Sequence, residues 1–222
     1  HLPAEQKPMD VFGPHWIDHF RRISEDWRAR VTDEDVVLIP GDITWAMQLD
    51  AARPDLNAIG ALPGRKILTR GNHDYWWSAI GRVRDALPKG MYALQNDSMA
   101  LDGVLFAGTR GWTLAMDETA DPSDRKIFLR EQMRLEMSLK SARRISEELP
   151  LVVMIHYPPL TESCRETPFT ELMRRYRADH VVYGHLHGPA LHGAFKGMQG
   201  GVHYHQVSCD GLGFRLYEVM RR

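Results

Sequence analysis

The sequence predicts an α/β fold, and two observations predict it. Segments with helical apolar spacing alternate with short runs of aliphatic and β-branched residues. Four of those apolar runs stop in a turn rich in Asp, Asn or His: Gly41-Asp42, Gly71-Asn72-His73-Asp74, His156-Tyr157-Pro158-Pro159 and Gly184-His185-Leu186-His187. Ligands of α/β sheets bind beyond the carboxyl ends of the strands, so four such turns would converge on one site. The 222 residues, 43% hydrophobic, suffice for a single domain spanning 1–222 with one continuous core.

The elements follow in order. Phe12, Trp16, Phe20, Ile23 and Trp27 recur at helical spacing and predict an amphipathic first helix. Residues 36–39 predict a buried strand, 49–62 a helix, and 66–69 a strand ending at Gly71. Strands are expected at 91–94 and 104–107, and the acidic stretch 117–124 as a surface loop. A long charged helix is expected over 125–149, with Ile127, Met133, Leu135 and Leu139 inward and Pro150 as its stop. Then come a strand at 151–155, a helix at 169–176, a strand at 181–183, and two final strands at 202–208 and 214–219.

Composition excludes some partners. A formal net charge of −1 with 26% charged residues gives no bulk attraction to nucleic acid or to an acidic membrane surface. No apolar run is long enough to span a bilayer. Cys164 and Cys209 match no disulfide framework or zinc motif; they read as reduced thiols of a cytoplasmic protein. The first residue is His1 rather than Met, which leaves room for a processed leader.

The strand-end residues supply a mixed donor set: the Asp42 carboxylate, the Asn72 amide oxygen, and the imidazoles of His156, His185 and His187. Such a set suits Mn, Fe or Zn better than Ca or Mg, which prefer oxygen alone. The ligands are too many for one ion, and a carboxylate can bridge two. A bridged metal pair stabilises both the attacking and the leaving oxygen of an in-line displacement, so the residues point to a two-metal hydrolase.

In their order and context, these four motifs resemble those of the calcineurin-like metallophosphoesterase superfamily, across positions 41 to 187. The resemblance implies a β-sandwich of two mixed sheets flanked by helices. It implies an enzyme that hydrolyses a phosphomonoester or phosphodiester of a small substrate, with two divalent ions, Mn first and Fe or Zn as alternatives. One ion would take His1, Asp42 and His187; the other Asp42, Asn72, His156 and His185. A hydroxide shared by the ions would be the nucleophile, His73 the general acid, and Asp74 the residue that orients the His73 ring. The superfamily opens with Asp-x-His after its first strand, and His1-Leu2 matches only the second half. The Asp and that strand are therefore expected upstream.

Within the superfamily, the Ser/Thr protein phosphatases continue the bridging Asp with Arg-Gly, whereas Asp42 is followed by Ile43-Thr44-Trp45-Ala46. The lipid-A-pathway pyrophosphatases carry Arg where His73 stands. Repair nucleases bring DNA-binding segments that do not fit this length. What remains resembles a branch of small bacterial phosphohydrolases. A catalytically silent scaffold of the same fold is the alternative.

Other residues have two readings. His203 and His205 alternate on one strand face and compete with His185 and His187 as ligands. His15 and His19 read as surface residues, His180 as structural and His192 as a loop residue. Trp76 and Trp77 either wall a pocket or cap the core. Arg110 either binds a substrate phosphoryl oxygen or anchors its own loop.

Overall fold

The computed structural model describes residues 9–116 and 119–221. Two sheets stack face to face with helices outside both. Parallel strands β1 (Val36–Ile39), β2 (Arg65–Thr69) and β3 (Met91–Leu94) form one sheet. The other comprises β4 (Ser98–Leu101), β5 (Val104–Thr109), β6 (Leu151–Ile155), β7 (His180–Tyr183), β8 (Gly197–Gln199) and β9 (Val202–Gln206), in the order β4-β5-β6-β7-β9-β8. Its central pairs β5–β6, β6–β7 and β7–β9 are parallel, so their carboxyl ends emerge on one rim.

Three apolar layers hold this arrangement. Between the sheets lie Ile67, Leu94, Val104, Phe106, Val152, Met154 and Val182. Outside the smaller sheet pack α1 (His19–Arg30), α2 (Leu49–Gly60) and α3 (Ile80–Ala86), through Trp27, Leu56, Ile59 and Val83. Outside the larger sheet pack α4 (Pro122–Ile145) and α5 (Pro168–Arg175), through Phe128, Leu135, Leu139, Phe169 and Met173. Burying each such side chain contributes about 1.5–3 kcal/mol. The expected αββα sandwich is therefore the observed one.

Several elements differ from expectation. The first helix begins at His19, preceded by two short 3-10 turns, Met9–Phe12 and Pro14–Trp16. Gly13 (φ 124°) and Asp18 (φ 54°) interrupt the helical path, and Phe12 is exposed. In α4 the inward stripe runs through Phe128, Leu135, Leu139 and Ala142, while Met133 faces solvent. Met133 lies five residues beyond Phe128, on the opposite side of a 3.6-residue turn. The same helix begins at Pro122, where Asp121 accepts from the Ser123 N–H at 2.8 Å, inside the stretch read as a loop; residues 117 and 118 of that stretch lie outside the described residues. Residues 214–219 form no strand. Phe214 has φ 61°, and the Leu216 N–H donates to Asp26 Oδ2 rather than to a neighbouring strand. His19 is buried, its Nδ1 3.1 Å from the Trp16 carbonyl oxygen.

β1 stands apart from the other apolar strands. Its residues are only half-buried, and among the described residues it pairs with β2 alone. Its other edge borders an apolar groove of about 880 Å³ lined by Leu38, Val152, Val182, Val207 and Val219. Asp42, His156 and His185 also line this groove.

Candidate metal centre

The site forms where the carboxyl ends of β1 and β2 in one sheet meet those of β6 and β7 in the other. Asp42 follows β1, Asn72 follows β2, His156 follows β6 and His185 follows β7. Asp42 (φ 55°) and His185 (φ 68°) both occupy the left-handed region that side chains other than glycine rarely adopt. Such strain persists only where the surroundings over-determine it, and it concentrates at functional positions.

Close packing of the first two loops supplies part of that constraint. A Cβ on Gly41 would fall 2.5 Å from the Gly71 nitrogen and 2.8 Å from His156 Nδ1. One on Gly71 would overlap the Asp42 carboxylate. Only glycine at both positions lets the loops approach this closely.

Asp74 supplies the rest. Its fully buried carboxylate accepts from the backbone N–H groups of Asp42 and Gly71 at 2.8 Å each, Ile43 at 2.8 Å and Thr44 at 3.4 Å, and from Trp76 Nε1 at 3.0 Å. Burial and then the neighbouring Asp42 charge push the Asp74 carboxyl up, while the N–H donors of Gly71 and Ile43 pull it down. Expected on the ring of His73, this carboxylate thus lies on the backbone of both loops. Trp76 and Trp77 are buried in the core under the smaller sheet, which settles their two readings.

Four polar atoms converge at the rim. His156 Nε2 lies 2.7 Å from Asn72 Oδ1, 3.4 Å from Asp42 Oδ2 and 3.2 Å from His185 Nδ1; His185 Nδ1 lies 2.9 Å from Asn72 Oδ1. The other nitrogen of His156, Nδ1, is 2.8 Å from the Pro40 carbonyl oxygen. A carbonyl only accepts, so Nδ1 carries a hydrogen and Nε2 is the nitrogen that would offer a lone pair to an ion among Asn72, Asp42 and His185. Burial, and then the neighbouring His156, push the His185 imidazole down to about 4, so this ring is neutral near pH 7. Lone pairs facing one another repel unless a cation lies between them. A carboxylate, an amide oxygen and two imidazoles, one held by a backbone carbonyl as metal-bound histidines are, fit a borderline divalent ion.

The remaining expected residues take these places. His187 stands beside the cluster, donating from Nδ1 to Asp210 Oδ1 at 2.8 Å, with Trp16 packed edge-on at 5.5 Å. The Gly188 N–H also donates to Asp210, at 2.9 Å. Burial opposes its ionisation, but these two donors hold the Asp210 carboxyl below its ordinary value. The His73 N–H donates to Asp42 Oδ1 at 2.9 Å, while the His73 ring packs on Trp45 at 4.6 Å and its Nδ1 lies 3.4 Å from the Tyr75 hydroxyl. Arg110 reaches Glu131 at 3.8 Å and covers the Trp112 ring at 4.6 Å. Its carbonyl accepts from the His156 and Tyr157 N–H groups, so its backbone supports the His156 loop. A phosphoryl oxygen would compete with Glu131 for the guanidinium. His1 lies outside the described residues.

Sequence reading missed Asp210, Trp45 and Tyr75. Asp210 was findable, because it follows β9 in a Gly-rich turn and so obeys the same strand-end rule. Trp45 and Tyr75 carried only proximity to Asp42 and His73.

A protein of unknown function from Aquifex aeolicus, solved by crystallography, aligns with a TM-score of 0.43 at 17% identity, over 89% of this chain and 79% of that one. No curated protein matches. The family model for calcineurin-like phosphoesterases matches residues 14–189, which include the strand-end motifs at 41–42, 71–74, 156–159 and 184–187. The chain belongs to the calcineurin-like phosphoesterase family.

Proposed function

We propose that this chain is a metal-dependent phosphoesterase with a binuclear centre that hydrolyses a phosphomonoester or phosphodiester of a small molecule. The observation that carries this reading is the convergence of Asp42, Asn72, His156 and His185, with His73 tied to the same carboxylate through its backbone N–H. Bound divalent ions supply Lewis-acid polarisation of a phosphoryl oxygen and lower the pKa of water to near 7.

The chain's own residues do the rest. Asp42 has one oxygen fixed by the His73 N–H and the other turned to the cluster, which suits a carboxylate shared between two ions. His187, with Nδ1 spent on Asp210, has Nε2 left to extend the ligand set on its side. His73, whose ring contacts Trp45 and Tyr75, would donate a proton to the leaving alkoxide. Asp74 acts on His73 by fixing the loop that carries it.

Replacing His73 tests the acid role. For His73→Ala, turnover should fall about 10²–10⁴-fold on an alkyl phosphate ester and much less on a nitrophenyl ester, whose leaving group needs little protonation. Equal losses on the two substrates would remove His73 from that role.

A further inference from the structure

A second group of metal-ligating side chains lies away from the strand-end rim. His180 opens β7, and β9 carries His203 and His205. Strand alternation puts His203 and His205 on one face. The parallel register pairs His180 with His203 and Val182 with His205, which brings His180 onto that same face. His180 Nδ1 lies 3.0 Å from His205 Nε2, and the ligand nitrogens of all three lie within 4.8 Å of one another. Ring centroids are 5.2 Å apart for His180–His205, 5.7 Å for His203–His205 and 5.8 Å for His180–His203.

We propose that His180, His203 and His205 form a separate binding site for one borderline divalent ion, zinc being the representative probe. Zinc–imidazole bonds of about 2.0–2.1 Å put neighbouring ligand nitrogens about 3.3 Å apart in a tetrahedron, a spacing that small ring rotations reach from here. Three imidazoles with no carboxylate or thiolate select Zn, Cu(II) or Ni(II) over Ca, Mg or Mn. Access comes from the exposed His203, while buried His205, backed by the Tyr217 ring at 5.5 Å, forms the floor. His180 opens β7 and His185 lies two residues past its carboxyl end, so the length of the strand puts the two sites roughly 10–15 Å apart. An ion here would join β7 to β9 near the sheet edge. That would stabilise the fold by mass action, with no part in the chemistry at the rim.

The test measures zinc content after dialysis against micromolar zinc, together with the visible spectrum of the cobalt(II)-loaded protein. It compares the parent chain, His203→Ala, His203→Gln, His185→Ala, and His185→Ala combined with His203→Ala. His203 is exposed, so its replacement leaves packing intact. The expected result is that each His203 variant loses one zinc equivalent and the tetrahedral cobalt absorption due to nitrogen ligands. His185→Ala should keep that equivalent, and the double variant should lose it. Unchanged zinc content in both His203 variants would overturn the proposal. So would loss of that same equivalent through His185→Ala alone.

Discussion

The two ends of β7 place histidines by opposite means. At its carboxyl end, His185 joins Asp42, Asn72 and His156 from four separate loops. Those loops meet only because Gly41 and Gly71 allow close approach, Asp42 and His185 accept left-handed backbone, and Asp74 collects N–H groups from two of them. At its amino end, His180 meets His203 and His205 on regular strands, by register and alternation alone. The first cluster is expensive to build and needs a scaffold of its own. The second follows from the sheet. Replacements at the two ends should therefore behave differently.

The largest difference should come from Asp42→Ala. This change removes the carboxylate oxygen facing His156 and the acceptor of the His73 N–H. Turnover should be abolished and metal lost from the rim, with zinc at the amino end retained; metal analysis with an activity assay reads both. Retention of all rim metal would remove Asp42 from the ligand set.

Asp74→Ala comes next and strikes the scaffold. It orphans the N–H groups of Gly71, Asp42, Ile43 and Trp76, at about 1–3 kcal/mol for each buried donor left without a partner. The expected loss is several kcal/mol, with the melting temperature falling roughly 2–4 °C for each kcal/mol. A melting temperature within a degree of the parent would show that the loops are held by something else. The smallest effect belongs to His203→Ala, which should leave kcat and KM of ester hydrolysis unchanged. A clear fall in kcat would mean that the two ends of β7 are coupled.

Much of the rim was legible in the sequence, because each of its polar residues follows a short apolar run and a turn residue, a local signal. The strands 36–39, 91–94 and 151–155 were readable for the same reason. What escaped depended on non-local pairing. The alternation of Phe214 to Val219 looks like a strand, but among the described residues the segment joins no ladder, and Phe214 turns it. Three-residue β8 and two-turn α3 carry too few residues to display a period. Asp210 acts on His187 across 23 residues. His203 and His205 were visible as a pair, but their third member needed the register between β7 and β9.

The rim is proposed to hold metal for phosphate-ester hydrolysis. The most direct test is hydrolysis of a chromogenic phosphodiester and the matching monoester, with Mn added and then chelated. Turnover of at least one ester should rise with Mn, vanish on chelation, return on re-addition and be absent in Asp42→Ala. Hydrolysis that persists unchanged after full metal removal, or equal turnover in Asp42→Ala, would contradict it.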